Sequence, residues 1–213
     1  DRADPVAIAR FEREVRLTCR LTHPNTIQVY DYGRTPDGIF YYAMEYLDGL
    51  NLQQLVQRYG AQPEERVAHI LGQICASLSE AHGVGLIHRD IKPANVFLCD
   101  RGGLPDSVKV LDFGLVKNMS DKSAEPTPTG VPVEDSLEGT PNFIAPEQAE
   151  GRIGDIDART DIYALGGILY NILTLVPPVS ATSMAQALEK IIHGDIRPPS
   201  TFNPTTSRMR RDD

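Results

Sequence analysis

Asp90, Lys92 and Asn95 fall close together in His88-Arg89-Asp90-Ile91-Lys92-Pro93-Ala94-Asn95, and Asp112 opens Asp112-Phe113-Gly114 17 positions after Asn95. Ala145-Pro146-Glu147 follows further on. A carboxylate such as Asp90 can take the proton of a hydroxyl. An amide oxygen and a second carboxylate, Asn95 and Asp112, are hard donors suited to a divalent cation. Such a set fits phosphoryl transfer, which needs an acceptor oxygen held in line and cations to neutralise phosphate charge. Taken singly, each residue has a plainer reading: Asp90 in a surface turn, Lys92 in solvent, Asn95 capping a turn. Their joint order and spacing argue for the chemistry.

The elements that must position these groups can be read from periodicity. Residues from about Pro5 to Leu21 read as a helix with Ile8, Phe11 and Val15 on one face, ended by His23-Pro24-Asn25. Strands are expected over 27–32 and 39–46, joined through Pro36-Asp37-Gly38. A short helix is expected over 52–58. The clearest helix runs from Glu64 to His82, with Val67, Ile70, Leu71, Ile74, Leu78 and Ala81 facing a core. Short strands over 95–98 and 108–111 flank a Gly102-Gly103 turn, and 119–138 reads as a loop rich in Pro, Ser, Thr and acid. Thr160 to Leu175 is apolar on most sides, Ile162 included, which predicts a buried helix stopped by Pro177-Pro178. Met184 to His193 gives one more. Strands first and helices later imply an α+β chain, a small sheet-bearing part beside a helical one, with a site at the junction.

Composition narrows the partners. The chain has 213 residues, 41% of them hydrophobic and 23% charged, with a formal net charge of −8. That charge argues against a nucleic-acid binder. Cys19, Cys75 and Cys99 are odd in number and widely spaced, which predicts neither a disulfide framework nor a cysteine metal site but a reduced, cytoplasmic setting. The longest apolar run, Ala164 to Leu169, is too short to span a bilayer, so membrane association is expected only through segments outside this chain. No signal peptide and no initiator Met open the sequence, which reads as a fragment of a longer protein.

The three motifs together resemble the eukaryotic-type protein kinase catalytic domain, specifically the bacterial Ser/Thr kinases, from Phe11 to about Pro199. The resemblance implies a two-lobe fold: a partial N-lobe over 1–44, a C-lobe with catalytic and activation loops over 45–199, and an unstructured tail over 200–213. It implies ATP and Mg²⁺ as cofactors, and regulatory phosphorylation of Ser or Thr hydroxyls on protein substrates. By the same resemblance Asp90 is the catalytic base, Lys92 contacts the transferring group, and Asn95 and Asp112 hold metal. Met44 is the gatekeeper, Glu45-Tyr46-Leu47 the hinge whose backbone bonds adenine, and Phe97 lies beneath the ring. His88 and Phe113 belong to a packed column, and Asp161 is a buried acid holding the catalytic-loop backbone. Arg89 pairs with an activation-loop phosphate, with Ser136 the first candidate site and Thr127 and Thr129 its competitors. Thr140 bridges Asp90 and Lys92, and Glu14 is the helix glutamate.

The sequence also departs from that family. The Gly-rich phosphate loop and the strand lysine that would pair with Glu14 are absent from these 213 residues. No late helix offers an arginine for Glu147. The simplest account is a truncated kinase domain whose isolated chain is inactive or weakly active, since losing one preorganised contact typically costs about 3–4 kcal/mol of transition-state stabilisation. A pseudokinase or scaffold that binds without catalysis is the alternative. A small-molecule phosphotransferase is a third reading, disfavoured by the Ala-Pro-Glu segment and the long loop before it.

Overall fold

The computed structural model describes residues 15–36, 40–113 and 141–202. Glu14, Thr127, Thr129, Ser136 and Thr140 lie outside them. Residues 15–18 are helical, and an antiparallel hairpin follows: β1 (Val29–Arg34) and β2 (Phe40–Met44), with Tyr32 opposite Tyr42. The expected pair of strands is present, with β1 beginning two residues later than its pattern suggested.

A second sheet comprises β3 (Gly49–Asn51), β4 (Val96–Arg101) and β5 (Leu104–Val110), all antiparallel in that order. β3 had no signal of its own. It exists because Gly49 can approach β4 closely: a Cβ there would sit 2.0 Å from the Leu98 carbonyl oxygen, and its φ is 154°. α1 (Leu52–Tyr59) starts at once, closed by a reciprocal cap in which Asn51 Oδ1 accepts from the Gln54 amide and Gln54 Oε1 from the Asn51 amide.

α2 (Glu64–Gly83) and, after the short α3 (Pro146–Ala149), α4 (Ala158–Thr174) form the centre of the helical part, with α5 (Met184–His193) beyond them. Val67, Ile70, Ile74, Leu78 and Ala81 of α2 share one core with Leu165, Ile168 and Ile172 of α4 and with Val96, Leu98, Val108 and Val110 of the second sheet. Leu71 is only partly buried. Ile162 departs from expectation: it is 53% exposed. α4 is apolar nearly all round, so periodicity could not choose its inward face; its packing partners did.

α2 carries a second stripe that is polar. Gln73, Ser77 and Glu80, also at helical spacing, grip the segment before β1. Gln73 Oε1 accepts from Asn25 Nδ2 and from the Val108 amide, and the Ser77 and Thr26 hydroxyls lie 2.7 Å apart. Glu80 takes the backbone amides of Thr22 and His23 and the Thr22 hydroxyl. Burial pushes the Glu80 carboxyl up, but these hydrogen bonds outweigh it and leave it below the ordinary carboxylate range.

An ion pair out of water joins the residue that follows β2 to β5. Lys109 Nζ lies 2.5 Å from Glu45 Oε1 and donates to the Thr26 carbonyl at 3.1 Å, with side chains only 4% and 3% exposed. Glu45 Oε1 also accepts from the Gln28 amide. Removing one member of a buried pair leaves the other charge desolvated, which typically costs about 3–5 kcal/mol. Lys109→Met is therefore expected to lower unfolding free energy by about that amount in urea titration. A loss under about 1 kcal/mol would show the pair to be energetically idle.

Candidate active site

Asp161, in the first turn of α4, is fully buried and accepts three hydrogen bonds. The donors are the His88 amide at 2.9 Å, the Arg89 amide at 2.8 Å and His82 Nε2 at 2.7 Å. A buried carboxylate must be satisfied in this way. Here the satisfaction fixes the backbone just before Asp90. Arg89 sits at φ 66°, left-handed for a residue with a β-carbon, and the bend is held from the other side by Gln148, whose Nε2 donates to the Arg89 carbonyl at 2.9 Å. Gln148 Oε1 accepts from the Ala145 amide, so α3 is tied directly to this loop.

His88 is buried and holds the next layer. Its Nε2 lies 2.7 Å from the Leu111 carbonyl, which can only accept, so that nitrogen carries the proton. Nδ1 is then the acceptor for the Asp90 amide at 3.3 Å. Burial pushes the ring below its ordinary pKa, against the pull of the neighbouring carboxylates, and it is neutral at pH 7. Phe113, fully buried, packs 4.7 Å from the His88 ring. The packing expected of these two is present.

Asn95 closes a 3₁₀ turn over Pro93–Asn95. Its Nδ2 donates to the Asp90 carbonyl at 2.8 Å and to Asp90 Oδ2 at 3.1 Å, and Lys92 Nζ lies 2.9 Å from the same Oδ2. With the amide nitrogen committed to Asp90, the amide oxygen is the Asn95 atom suited to a cation. The Asn95 carbonyl accepts from the Leu111 amide at 2.9 Å, which brings the residue beside Asp112 to the loop that carries Asp90. Asp112 itself is left-handed at φ 51° and accepts from the Tyr42 hydroxyl at 2.9 Å. Burial first, then the Asp112 charge and hydrogen bond, push Tyr42 up to about 12. An amide oxygen and a carboxylate on adjoining bonded segments form a donor set that fits a hard divalent ion.

Around the expected hinge, Met44 is 40% and Tyr46 91% exposed, Leu47 is half-buried, and Glu45 is buried. The Glu45 amide donates to the Gln28 carbonyl at 2.9 Å, which ties the end of the hairpin to the segment before β1. Phe97, half-buried on β4, pairs with Asn51 on one side and Lys109 on the other. Glu147, for which no arginine was found in the sequence, accepts from the Thr160 hydroxyl at 2.6 Å. Tyr42, His82, Lys109 and Gln148 went unnoticed in the sequence: each acts on a residue far away in the chain, and none belongs to a short motif.

The whole arrangement is that of a protein kinase, and comparison with known proteins agrees. Residues 2–211 match the protein kinase domain family, and the chain belongs to it. Within it the chain sits among bacterial Ser/Thr kinases. It is 40% identical over 202 residues to the serine/threonine-protein kinase pkn3 of Myxococcus xanthus, covering 95% of this chain and 36% of that protein. It is 36% identical over 200 residues to PknB of Mycobacterium tuberculosis, covering 92% and 30%. The chain thus spans about a third of the length of these relatives. The crystal structure of the M. tuberculosis PknI kinase domain superposes with a TM-score of 0.68 at 29% identity, covering 97% of this chain and 69% of that one. The two-lobe kinase fold expected from the motifs is therefore present. Family membership implies ATP, a divalent metal and protein substrates. Among the described residues no helix is long and apolar enough to cross a membrane.

Proposed function

We propose that this chain transfers the γ-phosphoryl group of ATP to Ser or Thr hydroxyls of protein substrates, as the catalytic part of a regulatory signalling kinase. The observation that carries the reading is the shared carboxylate: Asp90 Oδ2 holds both Asn95 Nδ2 and Lys92 Nζ, on a loop whose backbone is fixed by Asp161.

In this reading Asp90 orients the acceptor hydroxyl and takes its proton as the oxygen attacks phosphorus and the bond to the leaving diphosphate breaks. Lys92, drawn to the same carboxylate, places positive charge where the transferring group passes. The Asn95 amide oxygen and the Asp112 carboxylate hold Mg²⁺, which supplies neutralisation of phosphate charge when bound. Peptide groups of Glu45 to Leu47 bond adenine, with Met44 as the gatekeeper and Phe97 beneath the ring. Arg89, exposed beside the base, receives an activation-loop phosphate. Ser136 is the first site for it, with Thr127 and Thr129 its competitors.

Incubating the full-length protein with γ-labelled ATP and Mg²⁺ tests this. Label is expected on phosphoserine or phosphothreonine, with mass spectrometry finding Ser136 occupied ahead of Thr127 or Thr129. Nucleotide binding without any phosphoester formation would overturn transfer and leave a scaffold.

A further inference from the structure

We infer that Tyr42 is a positioning residue for the metal-binding carboxylate, its hydroxyl setting the orientation of Asp112 so that one oxygen is presented to the cation. This rests on the reading of Asp112 as a metal ligand. Tyr42 lies in the middle of β2, half-buried, while its strand neighbours Tyr41 and Ala43 are exposed, so it faces the site. Its hydroxyl reaches across 70 residues of sequence to Asp112 Oδ1 at 2.9 Å. The backbone there is already fixed. Leu111 is bonded through its amide to the Asn95 carbonyl and through its carbonyl to His88 Nε2, and Phe113 is buried against His88. Asp112 sits between them in a left-handed conformation that residues with a β-carbon seldom adopt.

What that backbone leaves undetermined is rotation of the carboxylate. Among the described residues, Tyr42 is the donor that sets it. A carboxylate oxygen that accepts a phenol hydrogen bond leaves the other oxygen for a cation, and hydrogen-bond partners of ligating groups both aim them and tune their affinity. A merely structural role would predict a different outcome: loss of the hydroxyl would loosen β2 and weaken every ligand of the cleft alike.

The test is Tyr42→Phe in the full-length protein, beside wild type and Asp112→Asn. Mn²⁺ binding is followed by its EPR signal in the presence of a non-hydrolysable ATP analogue, and analogue affinity is measured separately with EDTA. Tyr42→Phe is expected to weaken Mn²⁺ about tenfold, with the metal-free analogue affinity unchanged. Unchanged or tighter Mn²⁺ binding would overturn the inference, as would an equal loss of both affinities. If Asp112→Asn binds Mn²⁺ as wild type does, the assignment of Asp112 as ligand fails instead, and the inference fails with it.

Discussion

Asp90→Asn is expected to cut phosphoryl transfer by about 10²–10⁴-fold in kcat while leaving nucleotide affinity nearly unchanged. Asparagine keeps the shape and removes the basic oxygen. Lys92 and the Asn95 amide nitrogen both lean on Asp90 Oδ2, so the substitution also slackens the grip on these two neighbours. Their partial release should appear in kcat and not in stability, because Lys92 is partly exposed and can turn to water. Transfer rates of the two proteins at saturating ATP, alongside their thermal midpoints, make the comparison. Equal rates would remove Asp90 from the role of base.

The larger structural effect is expected at Asp161. Asp161→Ala would strand three donors that the carboxylate now satisfies: the amides of His88 and Arg89 and the His82 ring nitrogen. Each buried donor left without an acceptor costs about 1–3 kcal/mol, so a loss of roughly 3–9 kcal/mol is expected, comparable to the whole stability of many domains. Arg89 holds a left-handed backbone only because its surroundings impose it, and without Asp161 that restraint is halved, with Gln148 remaining. Urea unfolding and hydrogen exchange at the His88 and Arg89 amides check this. Protection that survives the substitution would show that the loop holds itself.

The catalytic loop was legible because its key contact is local. Asn95 bonds Asp90 five residues away through one 3₁₀ turn, so residue type and spacing nearly specify the geometry. The helix α2 was legible for a similar reason: its apolar residues recur at helical spacing and need only near neighbours to be recognised. β3 was not, being three residues long with a glycine at its head, and neither was the outward turn of Ile162. A strand that short is stabilised by its partner, not by its own pattern.

The supports of the site were less visible still. Tyr42 with Asp112, Glu45 with Lys109, and Gln148 with Arg89 join residues 70, 64 and 59 positions apart. Lys109 even contradicts its surroundings, a cation between Val108 and Val110 where the end of β5 is buried on both faces. The chain by itself determined which groups could do the chemistry and which local turns would carry them, because backbone propensity and short-range hydrogen bonding depend on near neighbours. Only the tertiary structure decided what holds those groups in aim. Two polar side chains distant in sequence find one another only when burial makes each the other's replacement for water.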